Sequence, residues 1–177
     1  MLERLGLPFS VQVPRVDETP CAGEAAGHLV TRLAHDKANA VARRFPAAVV
    51  IGSDQLAVCG DKVVGKPGNE ENAIRQLQAF SGQTVHFMTA VSVLCAESGF
   101  EFRQTIVTDI RFRDLAEDEI LRYVENDLPL DCAGSFKSEA GGISLMNAMR
   151  SDDPTAIVGL PLISISEALR QAGYKVP

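Results

Sequence analysis

The chain has 177 residues and a mass of 19.0 kDa, and 46% of its residues are hydrophobic, so it can bury a core as one domain or as two small lobes. A net charge of −6 and a pI near 5.1 argue against a protein that binds duplex nucleic acid through a broad positive face. No stretch approaches the roughly 18 apolar residues of a membrane span, and the N-terminus lacks a signal-peptide pattern. We therefore expect a globular cytoplasmic protein with neither nucleic acid nor membrane as a partner.

The first third of the chain predicts two strands separated by a long helix. Residues 9–13 alternate like a short strand, and apolar residues at helical spacing predict a helix over 24–45. The apolar run 47–52 then predicts a buried strand that ends at the acid Asp54. Residues 56–64 resemble a hairpin with a Gly-Asp turn.

The rest of the chain predicts alternating helices and strands without repeats or long linkers. The expected elements are a helix over 70–80 capped by Asn69, strands over 85–96 and 100–112, a helix over 116–126, a shaped loop over 129–142 and a C-terminal helix over 162–172. Residues 157–161, before that helix, look like a core strand or a turn. These elements predict a mixed α/β fold in a single domain over residues 1–177.

An acid after an apolar run, followed by a lysine, is the first functional pattern. Asp54 follows the run after one residue, Ser53, and Gly65-Lys66-Pro67 comes about ten residues later. A fold can place a carboxylate at the mouth of a cleft in this way, and a nearby lysine suits a phosphate or a metal-phosphate group. A buried strand capped by a turn acid and followed by a loop lysine has the same spacing, so spacing alone leaves both interpretations open.

Several short blocks follow in a fixed order along the chain. They are Gly52-Ser-Asp-Gln55, Gly65-Lys-Pro67, residues 77–82, Tyr123-Val124, residues 130–139, Asp153-Pro-Thr155 and residues 158–162. Together they resemble the Maf family of nucleoside triphosphate pyrophosphatases, over nearly the whole chain from Leu2 to about Gly173. The block Cys132-Ala-Gly-Ser-Phe-Lys-Ser-Glu139 is more similar to the YceF-like branch, associated with 7-methyl-GTP, than to the branch associated with dTTP and UTP.

The resemblance implies a Maf/ITPase-like mixed α/β fold, with an elongated sheet, flanking helices and two lobes around a nucleotide cleft. It implies hydrolysis of a nucleoside triphosphate to the monophosphate and pyrophosphate, with a divalent cation such as Mg²⁺, Mn²⁺ or Co²⁺ as cofactor. It also implies that the protein is a homodimer. For the 7-methyl-GTP branch, this activity suits the house-cleaning of modified nucleotides. A dTTP/UTP pyrophosphatase of the same family, and a catalytically impaired nucleotide-binding or cell-division module, are the alternatives left open.

Six residues lie at positions that the resemblance links with function. They are Asp54 as the catalytic acid beside the metal, Glu18 as a second metal ligand, Lys37 and Lys66 as phosphate-binding groups, and Gln55 and Glu139 as determinants of substrate specificity. A carboxylate of ordinary pKa is a weak base, so a metal that lowers the pKa of water would supply much of the activation. Three of the chain's five lysines fall at motif positions, namely Lys37, Lys66 and Lys137.

The charge of the base motivates the assignment of Glu139. N7-methylguanine carries a delocalised positive charge. A carboxylate such as Glu139 and an aromatic face such as Phe136 would therefore bind it in preference to plain guanine. Two alternatives remain open, because Phe136 could belong to the core and Glu139 could bind the N–H edge of the base.

The chain departs from the family pattern at its start. Members usually begin with a short strand and a Ser-x-Ser-Pro-Arg-Arg segment, whose serines and arginines are expected to hold the triphosphate. This chain starts at Met1-Leu-Glu-Arg-Leu-Gly6, which resembles the helix after that segment. The expectation is therefore either a start further upstream or an impaired form.

Overall fold

The computed structural model describes residues 1–176, which form a mixed α/β fold. In chain order the elements are α1 (Ala26–Ala42), β1 (Val50–Cys59), β2 (Lys62–Val64), α2 (Glu70–Phe80), β3 (Thr84–Cys95), β4 (Phe100–Phe112), α3 (Glu117–Asp127), β5 (Met146–Ser151) and α4 (Leu162–Gln171). The strands form one sheet in the order β2-β1-β3-β4-β5. Within the described chain, no helix combines the length and the apolar character needed to cross a membrane.

Local sequence signals account for most of these elements. The Asn69 side chain accepts a 2.8 Å hydrogen bond from the backbone N–H of Asn72, which satisfies one of the unpaired donors at the start of α2. Strand β4 spans the predicted residues 100–112, and its buried residues alternate with exposed ones as expected for a half-solvated strand. The predicted mixed α/β class is confirmed.

The chain divides into two compact units. The first contains residues 1–54, 89–106 and those from 153 onward. Its core has two parts, of which one packs α4 residues such as Ile165 and Leu169 with Val91 and Val93 of β3. The other part packs α1 with neighbouring strands through Ala38, Val41, Ala42, Val50 and Leu94. Helix α1 is therefore fixed directly on β1, the strand that carries Asp54.

The second unit contains residues 55–88 and 107–152. Its core includes a chain of aromatic rings: the Phe112 ring centroid lies 5.4 Å from that of Phe80 and 5.2 Å from that of Phe136, and Phe136 lies 5.6 Å from Phe87. The tilted and edge-on arrangements are those that aromatic pairs prefer. Phe136 belongs to this core and is only 5% exposed, so of the two alternatives left open for it the structure favours the core.

Two local predictions were wrong, and one strand was not predicted. Residues 9–13 do not form a strand, and Phe9, Val11 and Val13 are exposed, because alternation alone is insufficient when a segment pairs with no neighbour. Strand β1 does not end at Asp54 but continues to Cys59, since buried residues follow the acid. Strand β5 was not predicted at all, because Met146–Ser151 lacks β-branched residues and is ordered by antiparallel pairing with β4.

Candidate active site

A close approach of α1 to β1 creates the centre of the candidate site. A Cβ atom placed on Gly52 would lie 2.4 Å from the carbonyl oxygen of Ala34 and 2.6 Å from the amide nitrogen of Ala38. Only glycine in the strand, facing small alanines on the helix, permits this separation. Lys37, next to Ala38 on the helix, is thereby brought to Asp54, two residues after Gly52 on the strand.

The ammonium group of Lys37 lies between two carboxylates. Its Nζ atom donates to Asp54 Oδ1 at 2.6 Å and lies 2.9 Å from Glu18 Oε1. The Asp54 and Lys37 side chains are 12% and 18% exposed, whereas Glu18 is 56% exposed. Three of the six predicted site residues therefore meet in the first unit, in a cluster with one rim residue accessible to solvent.

The charge state of Lys37 follows from two opposing effects. Partial burial by itself lowers the pKa of the ammonium group, but the hydrogen bonds to Asp54 and to Glu18 outweigh it and raise the pKa above the ordinary lysine value. Lys37 is therefore protonated at neutral pH, and it neutralises one of the two negative charges beside it.

The loop that carries Glu18 is attached to α1 by a pair of side chains that the sequence reading missed. Arg32 on α1 contacts Glu24 through two parallel hydrogen bonds of 2.8 Å. The same pair bonds the loop backbone, since Arg32 Nη2 donates to the Thr19 carbonyl oxygen at 3.2 Å and Glu24 Oε2 accepts from the Cys21 N–H at 3.0 Å. A bidentate pair of this kind fixes geometry as well as charge, so it orients the segment next to Glu18.

The residue before the acid is anchored on the opposite face of β1. Ser53 Oγ lies 2.8 Å from the carbonyl oxygens of Ala90 and Gly159, and its single proton can be donated to one of them at a time. The turn that contains Gly159 precedes α4. The buried carboxylate of Asp153 braces the start of this helix, accepting a 2.7 Å hydrogen bond from the Ile163 N–H.

The other three predicted site residues belong to the second unit. Lys66 is exposed on the loop after β2, Gln55 is half-buried and follows Asp54 in β1, and Glu139 is exposed. The Lys66 loop is joined to the segment 130–135, because the Gly134 N–H donates to the Gly65 carbonyl oxygen at 3.2 Å and the Gly68 N–H donates to that of Leu130 at 3.1 Å. Hydrogen bonds thus connect the lysine loop to the loop that continues to Glu139.

The segment around Glu139 is anchored by the C-terminal end of α3. Lys137 Nζ donates to the carbonyl oxygens of Asp127 at 2.6 Å and Leu128 at 3.3 Å, which places a cation at the negative end of the helix. The Asp127 carboxylate in turn accepts a 2.7 Å hydrogen bond from the Gly141 N–H. Lys137, the third lysine at a motif position, is therefore engaged in holding this segment.

The sequence pattern of a family described as Maf-like protein matches residues 1–172 of the chain. The chain belongs to the Maf family. Curated Maf relatives named 7-methyl-GTP pyrophosphatase are similar along almost the whole chain. The relative from Aromatoleum aromaticum is 51% identical over 177 residues, covering 100% of this chain and 91% of the relative. The relative from Polaromonas sp. is 51% identical, covering 98% of this chain and 79% of the relative. The relative from Xanthomonas oryzae pv. oryzae is 50% identical, covering 100% of this chain and 92% of the relative.

The donor atoms of this Maf chain fit a cation that is completed by its substrate. Among residues 1–176, no group of three or more His, Cys, Asp and Glu side chains could form a protein cage for a metal ion. Glu18 and Asp54 nevertheless share one cation, the Lys37 ammonium. One or two carboxylates together with substrate phosphates and water is the usual environment of Mg²⁺. Glu18 and Asp54 are therefore the residues that could hold a divalent ion here.

Proposed function

We propose that this Maf protein hydrolyses 7-methyl-GTP to the monophosphate and pyrophosphate. Relatives about half identical over essentially the full chain bear the name 7-methyl-GTP pyrophosphatase. The observation that carries the proposal is the cluster of Lys37, Glu18 and Asp54, because hydrolysis of a triphosphate needs a base to accept a proton and cations to neutralise phosphate.

Asp54 is proposed to accept the proton of the attacking water. The water oxygen forms a bond to the α-phosphorus, the bond from that phosphorus to the bridging oxygen of the β-phosphate breaks, and pyrophosphate leaves with the electron pair. The proton passes to the Asp54 carboxylate and then to solvent. Lys37 donates a hydrogen bond to this carboxylate, which orients the carboxylate before the substrate arrives.

Two lysines are proposed to neutralise the phosphates. Lys37 is within reach of Asp54, and Lys66 is exposed on a loop that hydrogen bonds restrain. A lysine ammonium is a compact and movable point charge, which suits phosphate oxygens whose positions change during the reaction. When bound to Glu18 and Asp54, a divalent cation would lower the pKa of the water and screen the triphosphate charge.

Substrate choice is proposed to involve Glu139 and Gln55. The loop of Glu139 is restrained by Lys137 and Asp127, so the carboxylate is presented from a fixed backbone while it stays exposed. An exposed carboxylate is suited to the positive charge of N7-methylguanine. Because Phe136 is in the core, the charge argument rests on Glu139 alone and not on a stacking aromatic ring.

The test is pyrophosphate release from a panel of 7-methyl-GTP, GTP, UTP and dTTP with Mg²⁺, using the wild-type protein and the Asp54→Asn variant. We expect 7-methyl-GTP to have the highest kcat/KM, and we expect Asp54→Asn to lower kcat by about 10²–10⁴-fold with an unchanged melting temperature. Asp61→Asn, in the exposed turn before β2, is the matched control and should remain active. A preference for UTP or dTTP, or a fully active Asp54→Asn variant, would contradict the proposal.

The resemblance carries four further proposals. They are a single Maf-like domain, a nucleotide cleft of the family type, a homodimer and a cytoplasmic location. Light scattering after size exclusion measures the mass in solution, and a value near twice 19.0 kDa would support the dimer.

A further inference from the structure

We propose that Lys37 acts as an exchangeable counter-ion, which occupies the metal position until the nucleotide draws it away. This inference rests on the proposed function, and it concerns the order in which the site is loaded. It predicts that the protein without nucleotide binds divalent cations weakly, and that metal and nucleotide bind together.

The distances around Lys37 are the first argument. Nζ lies 2.6 Å from Asp54 Oδ1 and 2.9 Å from Glu18 Oε1, so one ammonium group serves both carboxylates. A divalent ion binds carboxylate oxygens at about 2.0–2.6 Å, depending on the metal. A cation shared by the same two oxygens would therefore need the space that the ammonium fills, and the two cannot be accommodated at once.

The charge balance is the second argument. Two carboxylates and one ammonium leave a net charge of −1 in the cluster, so the protein alone attracts a divalent cation much less than two carboxylates would. A triphosphate brings several negative charges and offers the lysine another partner. The exchange therefore becomes favourable when the nucleotide is present.

The position of Lys37 permits such a movement. The side chain is 18% exposed, leaves the helix on a flexible stem and contacts Glu18, a residue on the solvent-exposed rim. By contrast, Asp54 lies on β1, where Ser53 is bonded on the opposite face, and it stays in place when the lysine moves. The carboxylate is the fixed part of the site and the ammonium is the mobile part.

A lysine that only binds phosphate, or that only stabilises the fold, predicts a different result. In both cases its removal would leave the metal affinity of the free protein unchanged or lower, because a helix-to-strand ion pair is lost. A cation that opposes the metal at these two carboxylates, by its charge and by filling the space between them, gives a higher affinity when it is removed.

The experiment measures Mn²⁺ binding to the nucleotide-free full chain by titration calorimetry and by the electron paramagnetic resonance of free Mn²⁺. Lys37→Met keeps the length of the stem and removes the charge, and we expect it to bind Mn²⁺ about tenfold more tightly than the wild type. Lys37→Arg keeps the charge and should stay as weak as the wild type. Lys62→Met, at an exposed position in β2, is the matched control and should not differ from the wild type.

The same titrations are repeated with the α,β-methylene analogue of 7-methyl-GTP, which is not hydrolysed. The analogue should increase Mn²⁺ affinity less in Lys37→Met than in the wild type, because the competing charge is already absent. Equal Mn²⁺ affinities of the wild type and Lys37→Met without nucleotide would overturn the inference. It would also be overturned if neither protein bound Mn²⁺ under these conditions. If Lys37→Met does not fold, Lys37→Gln takes its place with the same expectations.

Pyrophosphate release by the wild type, measured in parallel, separates the two proposals. Hydrolysis of 7-methyl-GTP combined with an unchanged Mn²⁺ affinity of Lys37→Met refutes the counter-ion role and leaves the proposed function standing. Absence of hydrolysis by the wild type refutes the proposed function, whatever the titrations give.

Discussion

The close approach of α1 to β1 at Gly52 gives a prediction with a calculable magnitude. In Gly52→Ala the new methyl group would begin 2.4 Å from the Ala34 carbonyl oxygen and 2.8 Å from the Ala38 Cβ atom. To lengthen the distance between the methyl group and the Ala34 carbonyl oxygen from 2.4 Å to an ordinary contact of about 3.4 Å, helix and strand must move apart by roughly 1 Å. Both contacted atoms belong to backbone or to a short side chain, so rotation of a side chain cannot relieve the overlap.

That separation should affect stability and catalysis in different proportions. Overpacking costs about 1–3 kcal/mol, which corresponds to a fall in Tm of roughly 2–12 °C for a chain of this size. The same movement lengthens the contact of 2.6 Å between Lys37 and Asp54, and a misplacement of about 1 Å can lower kcat/KM about 10²-fold. We therefore expect a mildly destabilised protein with severely reduced turnover.

The assay compares kcat/KM for 7-methyl-GTP with the melting curve, at a temperature where every variant is folded. Ile165→Val is the control, because Ile165 packs in the core around α4 and its truncation costs about 0.5–1.5 kcal/mol without moving α1 on β1. This control should lose stability and keep its activity. If Gly52→Ala keeps kcat/KM within twofold of the wild type, the approach of helix and strand does not position Lys37, and the reasoning is refuted.

Two further predictions concern the ion pair of Arg32 and Glu24, which holds the Glu18 loop, and the proposed role of Glu139. The hydrogen bonds from Arg32 hold the pKa of Glu24 at about 2, below its ordinary value of 4.5. The unfolded state therefore binds more protons between those values, and the stabilisation from Glu24, complete above pH 4.5, is lost as the pH falls towards 2. Between pH 5 and pH 3, Tm should fall less in Glu24→Gln than in the wild type, and an identical fall in the two proteins would contradict this. Glu139→Gln should lower the ratio of 7-methyl-GTP to GTP turnover, and an unchanged ratio would rule out the charge argument.

Local signals in the sequence predicted most of the fold. The cap at Asn69, the alternation over 100–112 and the helical spacing before Ala42 all depend on residues close in the chain, and all three elements are present. The wrong strand prediction near the N-terminus and the unpredicted strand β5 both depended on pairing partners instead. Residues 9–13 have the pattern without a partner, whereas β5 has a partner in β4 without the pattern.

The residues of the site were predicted individually, but their contacts were not. The residues next to Lys37 and Asp54 in the sequence do not predict their contact, because the two lie 17 positions apart, one on a helix and the other on a strand. A signal for the contact existed in the small residues Ala34, Ala38 and Gly52, which together permit close packing of a helix on a strand. The ion pair of Arg32 and Glu24 had no comparable signal, because side chains eight residues apart are not neighbours by helical spacing and Glu24 precedes α1.

The continuation of β1 through the acid explains how Asp54, the proposed base, is fixed in place. On one face of the strand, Val50, Gly52 and Asp54 follow one another at alternate positions and meet α1. On the other face, Ser53 binds the carbonyl oxygens that hold the strand. A shift of one residue in register would exchange the two faces, so packing and hydrogen bonding specify the same position for the acid. An acid at the frayed end of a strand would have only one neighbour to restrain it, whereas here the strand is held on both faces next to the acid.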